Sequence, residues 1–166
     1  MDWMHCYASP LGTLFMASRG ESALAGLWFA GQKYFPESVC RLPVNDSLPV
    51  FRESDRWLDC YFSGKAPGFT PPLYLSASAF RTAVWNALLE IPYGKTVSYG
   101  EIASRLAART RVPRISARAV GGAVGHNPVS LIIPCHRVTG ADGSLTGYAG
   151  GLERKEYLLR LERGAL

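Results

Sequence analysis

The chain has 166 residues, 48% of them hydrophobic and 19% charged, with a formal net charge of +5. That composition supports one large domain or two small ones around a packed core, and it excludes a disordered chain. No apolar run approaches the roughly 20 residues of a membrane helix, and Met1-Asp2-Trp3-Met4-His5 lacks the basic and apolar regions of a secretory signal.

The charge is uneven. Residues 79–166 carry 12 Lys/Arg against 6 Asp/Glu, whereas residues 1–78 carry 6 against 7. The basic excess of the C-terminal half points to a polyanionic partner, most simply nucleic acid; a solubilising surface is the bland alternative. Cys6, Cys40, Cys60 and Cys135 are irregularly spaced and form no Cys-x-x-Cys. They read as reduced thiols of a cytoplasmic protein rather than as a disulfide framework. A metal site on His5 and Cys6 lacks a second ligand pair, so neither metal nor cofactor is expected.

In chain order, Leu14-Phe15-Met16-Ala17 and Leu24 to Phe29 are short apolar runs bounded by Gly and Pro, and they predict antiparallel strands. Residues 36–47 read as loop. Val50, Phe51, Ser54, Trp57, Leu58, Tyr61 and Phe62 recur at helical spacing, and their aromatic stripe reads as core. The Gly- and Pro-rich stretch Gly64 to Pro72 predicts a linker between a domain over 1–72 and one over 73–166.

Beyond the linker, Phe80, Ala83, Val84, Ala87, Leu88 and Ile91 predict a helix capped by Ser78 and ended by Pro92-Tyr93-Gly94. Ser98-Tyr99-Gly100-Glu101 is a capping box for the next helix. A basic loop, Ala108 to Arg114, leads to a helix over Ala117-Arg118-Ala119-Val120-Gly121-Gly122-Ala123-Val124, capped by Ser116. Two short helices joined by a turn predict a helix-turn-helix. The second carries so many glycines, at roughly 1 kcal/mol each against Ala, that something must approach its backbone closely. Side chains this small cannot read bases in a major groove, so docking into a narrow groove fits better. Tight helix packing is the competing reading.

Val129 to Ile133 reads as a short buried strand ended by Pro134. Cys135 and His136 follow at once, a soft nucleophile beside a proton-handling group, and Arg137 adds positive charge that favours thiolate. The Gly-rich loop Thr139 to Gly151 lacks the Lys-Ser/Thr ending of a phosphate loop and reads as a pocket wall with Tyr148 as a lid. In the last helix, Leu152 to about Arg163, Glu162 lies beside the apolar face, where it is either frayed into solvent or paired inside, with a His as its natural partner.

Pro134-Cys135-His136-Arg137-Val138 resembles the active-site motif of the O6-alkylguanine-DNA alkyltransferases. The resemblance runs through Ile91-Pro92-Tyr93-Gly94, Val97-Ser98-Tyr99, Ala117 to Gly121, Asn127-Pro128, Gly147 to Gly151 and Lys155-Glu156, and covers essentially all of 79–166. Ser9-Pro10-Leu11-Gly12 and Gly26-Leu27 extend it more weakly into the first half. It implies an α+β fold: a small ribonuclease-H-like N-terminal domain, then a mostly helical C-terminal domain with a winged-helix-like helix-turn-helix. It implies direct-reversal DNA repair, in which Cys135 irreversibly takes the alkyl group of O6-alkylguanine in double-stranded DNA, once per molecule. O4-alkylthymine is left open as a second substrate.

By position, the resemblance makes His136 the base that takes the thiol proton through a water, with Glu162 orienting it. Asn127 would be the hinge joining recognition helix to active site, and Tyr99 a donor to the departing guanine. Pro134, main-chain groups of Cys135 and Val138, Tyr148 and the Ala149 N–H would complete the base pocket. Arg118 would enter the duplex where the flipped nucleotide lay. Ala117, Ala119, Gly121, Gly122, Val124 and Ser98 would face DNA in the minor groove. The protein is expected to act as a monomer, with cooperative loading on DNA left open.

Two departures stand out: the segment Leu106 to Arg118 looks about five residues longer than the family's usual turn, adding Arg109, Arg111 and Arg114 as expected phosphate contacts, and Ala149 stands where a Ser is often found. The zinc ligands of the family's N-terminal half are not evident. A lesion binder without transfer, a cysteine hydrolase using Cys135, His136 and Asn127, and a helix-turn-helix regulator with a redox cysteine are the competing readings. Cys135 argues against the first. The adjacency of His136 argues against the second, and the lack of base-reading side chains against the third.

Overall fold

The computed structural model describes residues 1–166. Its first half is a three-stranded antiparallel sheet of β1 (Met4–Ser9), β2 (Gly12–Arg19) and β3 (Ala23–Phe29), covered by α1 (Pro49–Phe62). β2 and β3 are the predicted strands; β1 had no sequence signal of its own, because Met4-His5-Cys6-Tyr7 mixes polar and apolar side chains. Its place is set by pairing, Cys6 opposite Phe15 and Tyr7 opposite Leu14. The turn between β1 and β2 closes on Gly12 at φ +102°. α1 buries Val50, Phe51, Ser54, Trp57, Leu58 and Tyr61 of the predicted stripe, while Phe62, also expected there, is only partly buried.

The second half holds α2 (Ala79–Leu89), β4 (Val97–Ser98), α3 (Tyr99–Thr110), α4 (Ala117–Gly125), β5 (Val138–Thr139) and α5 (Leu152–Glu162). Ser78 caps α2 through the Arg81 N–H, Ser116 caps α4 through the Ala119 N–H, and the capping box of Ser98 and Glu101 is complete on α3. Phe80, expected on the buried stripe of α2, stays 37% exposed; the buried face is Val84, Trp85, Ala87 and Leu88. Trp85 donates its indole N–H to the Ala123 carbonyl at 2.9 Å and locks α2 to α4. The α3–α4 pair is the expected helix-turn-helix, and β4 runs parallel to β5 beside it.

The strand expected over Val129 to Ile133 is a buried turn. Only Val129 pairs in a sheet-like way, with Leu27. The following N–H groups bond locally, Ile132 to the Ser130 carbonyl, Ile133 to Val129 and Cys135 to Ile133. Leu131 takes a left-handed backbone at φ +70° although fully buried, a strain of order 1–3 kcal/mol that persists only where surroundings impose it. The imposing partner is β3: the Leu27 N–H donates to the Pro128 carbonyl at 2.9 Å, and Ser130 N–H to the Leu27 carbonyl at 2.8 Å. Likewise the linker is tied down, Leu24 N–H to the Pro72 carbonyl at 2.8 Å. One cluster of 31 buried residues draws on both halves. No helix is long and apolar enough to cross a membrane.

Candidate active site

The turn over Val129 to Ile133 delivers Cys135, His136 and Arg137 as one turn of 3-10 helix rather than as extended chain. Cys135 is buried at 4% exposure, yet it lines a cavity of about 340 Å³. Lining this cavity with it are Tyr99, Tyr148 and Ala149, expected in the pocket, and Gly121, Gly122 and Val124, expected instead on the DNA-facing side of α4. Pro134 and Val138 are buried and do not belong to the lining. Ala117, Arg118 and Ala119 are exposed at the start of α4, outside the cavity, while the Ser98 hydroxyl is engaged in its cap.

Asn127 holds the sulfur. Its amide donates to Cys135 Sγ at 3.1 Å and to the Ile133 carbonyl at 2.8 Å, while its oxygen accepts the Val129 N–H at 2.9 Å. Since Asn127 follows α4 directly, one amide couples that helix to the nucleophile. No hydrogen bond joins the sulfur to the His136 ring, so the directly touching Cys–His pair of a cysteine hydrolase is not formed.

Behind the Cys lies a buried charge cluster. The Glu162 carboxylate accepts from His136 Nε2 at 2.6 Å, the Tyr61 hydroxyl at 2.8 Å, Arg137 Nε at 2.9 Å and the Gly94 N–H at 2.9 Å. Burial alone would raise its pKa, but the hydrogen bonds from His136 and Arg137 and the Arg137 charge win and hold it at about 2. Burial pushes His136 below its ordinary value, against the pull of Glu162, so the ring rests neutral. A carboxylate only accepts, so Nε2 carries the ring proton. Nδ1 is then the basic nitrogen, and it has no partner within the protein. Gly94 sits at φ +74°, where a Cβ would come within 3.1 Å of the Glu162 carbonyl; only glycine lets this turn reach the carboxylate.

Three expectations are corrected. Arg137 does not charge the sulfur: its guanidinium is spent on Glu162 and on the Ile91 carbonyl at 2.7 Å. The cation acting on Cys135 is Lys155, fixed by the carbonyls of Val138 at 2.6 Å and Thr146 at 2.7 Å. Burial drags Lys155 down to about 8. Nor is the thiol acidified at rest: burial pushes it above its ordinary value, only partly opposed by Asn127 and Lys155. Arg109 is likewise not a loop residue but the last turn of α3, paired bidentately with Glu90 at 2.6 and 2.7 Å; Arg111 and Arg114 remain exposed.

Sequence reasoning missed four contributors. Tyr61 passed as a core aromatic, although a buried tyrosine hydroxyl demands a partner; here it bridges Glu162 and His136. Lys155 carried no local signal. Lys33 and Tyr34 come from the other half of the chain to line the cavity. His5, weighed as a ligand, is instead clamped between Asp46 at 2.7 Å and Asp55 at 3.0 Å.

Comparison with known proteins agrees with this geometry. Family models described as the DNA-binding and ribonuclease-like domains of 6-O-methylguanine DNA methyltransferase match residues 79–164 and 4–75. A methylated-DNA–protein-cysteine methyltransferase of Mycobacterium leprae is 46% identical over 162 residues, 96% of this chain and 93% of that protein. One from Haemophilus influenzae is 44% identical over 158 residues, 95% of this chain and 84% of that protein. The crystal structure of Mycobacterium tuberculosis OGT in complex with DNA superposes with a TM-score of 0.85 at 41% identity, covering 98% of this chain and 94% of that one.

Proposed function

The chain belongs to the 6-O-methylguanine DNA methyltransferase family, and from that premise we propose that Cys135 is the alkyl acceptor, served by Asn127, His136, Glu162 and Tyr99. The activity is DNA repair by transfer of an alkyl group from DNA to a protein cysteine. The observation that carries the assignment to Cys135 is the cavity itself: Cys135 is the one cysteine lining it, its sulfur held by Asn127 and backed by the Glu162–His136 pair.

The alkylated oxygen lies within the base stack of duplex DNA, so the nucleotide must be flipped out, at a cost of a few kcal/mol. Arg118, exposed on α4, stacks into the gap and returns roughly 1–3 kcal/mol. Gly121 and Gly122 let the helix backbone sit close in the minor groove. The base enters the cavity between Tyr99 and Tyr148, with the Ala149 N–H at its edge.

At rest the buried thiol keeps its proton, which guards the nucleophile. On substrate binding the proton passes through a water to His136 Nδ1, and Glu162 stabilises the imidazolium so formed. The sulfur attacks the alkyl carbon, an S–C bond forms, and the C–O bond breaks. The electron pair leaves on guanine O6, where the Tyr99 hydroxyl supplies a hydrogen bond. That hydroxyl is free to turn, since its present contacts with the carbonyls of Thr146 and Gly147 are long, 3.4 and 3.5 Å. The thioether has no acyl carbon for water to attack, so each molecule acts once, as a monomer. Four free cysteines fit a reducing, cytoplasmic setting.

Intact mass and peptide mapping after mixing with duplex carrying one O6-methylguanine test this. One methyl per molecule on the Cys135 peptide is the expected result, and C135S abolishes it while retaining DNA binding. Tight binding without methyl gain would instead favour a lesion flag.

A further inference from the structure

The loop from Ala30 to Phe35 belongs to the N-terminal half, yet it forms one wall of the cavity over Cys135. It is pinned at three points. Gln32 is buried, and its side-chain oxygen accepts the Phe29 N–H at 2.9 Å and the Ser130 hydroxyl at 3.2 Å. The Lys33 N–H donates to the carbonyl of Ala149, another lining residue, at 2.9 Å. Directly after these anchors Tyr34 takes φ +62°, a conformation that bulky residues rarely adopt.

That strained backbone lays the Tyr34 ring on His126 at 4.1 Å and 21°, though Tyr34 stays 51% exposed. His126 is itself fixed, donating Nδ1–H to the Gly122 carbonyl at 2.8 Å. Lys33 Nζ lies 4.9 Å over the same Tyr34 ring. The lysine is exposed and pairs with no carboxylate. A cation on an aromatic platform thus lines the cavity together with the glycines Gly122 and Gly125 of α4.

We infer that Lys33 binds a backbone phosphate of the DNA strand that carries the flipped nucleotide, with the Tyr34–His126 stack positioning its ammonium. The inference rests on the proposed function: a base seated over Cys135 leaves its own phosphates at the rim, within reach of groups that line it. It gives the N-terminal half a direct part in substrate binding, which its balance of 6 basic against 7 acidic residues does not reveal.

The test uses the full chain with K33Q and K33R, binding duplex that contains O6-methylguanine across roughly 50 to 200 mM salt. One lost phosphate contact lowers the slope of log affinity against log salt by about 0.9, and weakens binding about eightfold near 0.1 M salt. K33Q is expected to show both changes and K33R neither. K33Q is expected to lose more on O6-methylguanine duplex than on free O6-benzylguanine base, which has no phosphate. An unchanged salt slope, or equal loss on the free base, overturns the inference. Methyl gain on Cys135 of the unaltered protein, read in the same samples, tests the transfer reaction separately.

Discussion

Replacing Glu162 by Gln tests the buried cluster most sharply. The side chain is fully buried, so solvent screening does not discount its interactions. A carboxyl held at about 2 instead of 4.5 contributes roughly 3 kcal/mol of stability at neutral pH, at about 1.4 kcal/mol per pH unit. The sign follows from the lowered pKa: the stabilisation is present above the unfolded pKa and is lost as pH falls through the folded one. By pH 3 about 2 kcal/mol of it is gone. E162Q also strands the Arg137 guanidinium, and breaking a buried ion pair by removing one partner costs about 3–5 kcal/mol. Urea unfolding at pH 7 should therefore show E162Q destabilised by about 3–5 kcal/mol, and the gap from the unaltered protein should narrow by about 2 kcal/mol at pH 3. The comparison cancels every carboxylate the two proteins share. A gap that stays constant with pH would refute the assignment of Glu162 as the acid-sensitive centre.

Two further outcomes follow from the site. Because burial raises the Cys135 thiol, its reaction with a small alkylating reagent should still climb with pH where a free cysteine, near 8.5, has levelled off; a plateau at or below that value would mean the thiolate is stabilised at rest. R118A should slow repair in duplex by about 5- to 150-fold, the equivalent of the roughly 1–3 kcal/mol of stacking it forfeits, while sparing reaction with free O6-benzylguanine; equal losses would remove Arg118 from the duplex.

What the sequence disclosed was chiefly local. The caps at Ser78, Ser98 and Ser116 and the stripe of α1 depend on residues within a turn or two of each other, and they stand as read. Val129 to Ile133 misled because an apolar run shows burial but not its backbone path; Leu27, a hundred residues upstream, sets that path. Arg137 misled for a similar reason. Adjacency in sequence placed its charge beside the sulfur, but Glu162 and the Ile91 carbonyl draw the guanidinium away, and Lys155 takes the vacated role. Arg109 turned from expected phosphate contact to ion-pair partner once Glu90 of the preceding helix lay within 2.6 Å. None of these partners is visible without the fold.

The 31-residue cluster that both halves share bears on how the molecule comes apart. A chain with two independent cores melts in two steps, and each half survives proteolytic separation. Here Leu27 clasps the turn that carries Cys135, and Tyr61 of α1 donates to Glu162 of α5. Heat should therefore produce a single calorimetric transition, with the thiol losing its protection at the temperature where the sheet melts. A nick in the Gly64–Pro72 stretch would leave two fragments held together without a covalent bond, neither able to close the other's share of the interior.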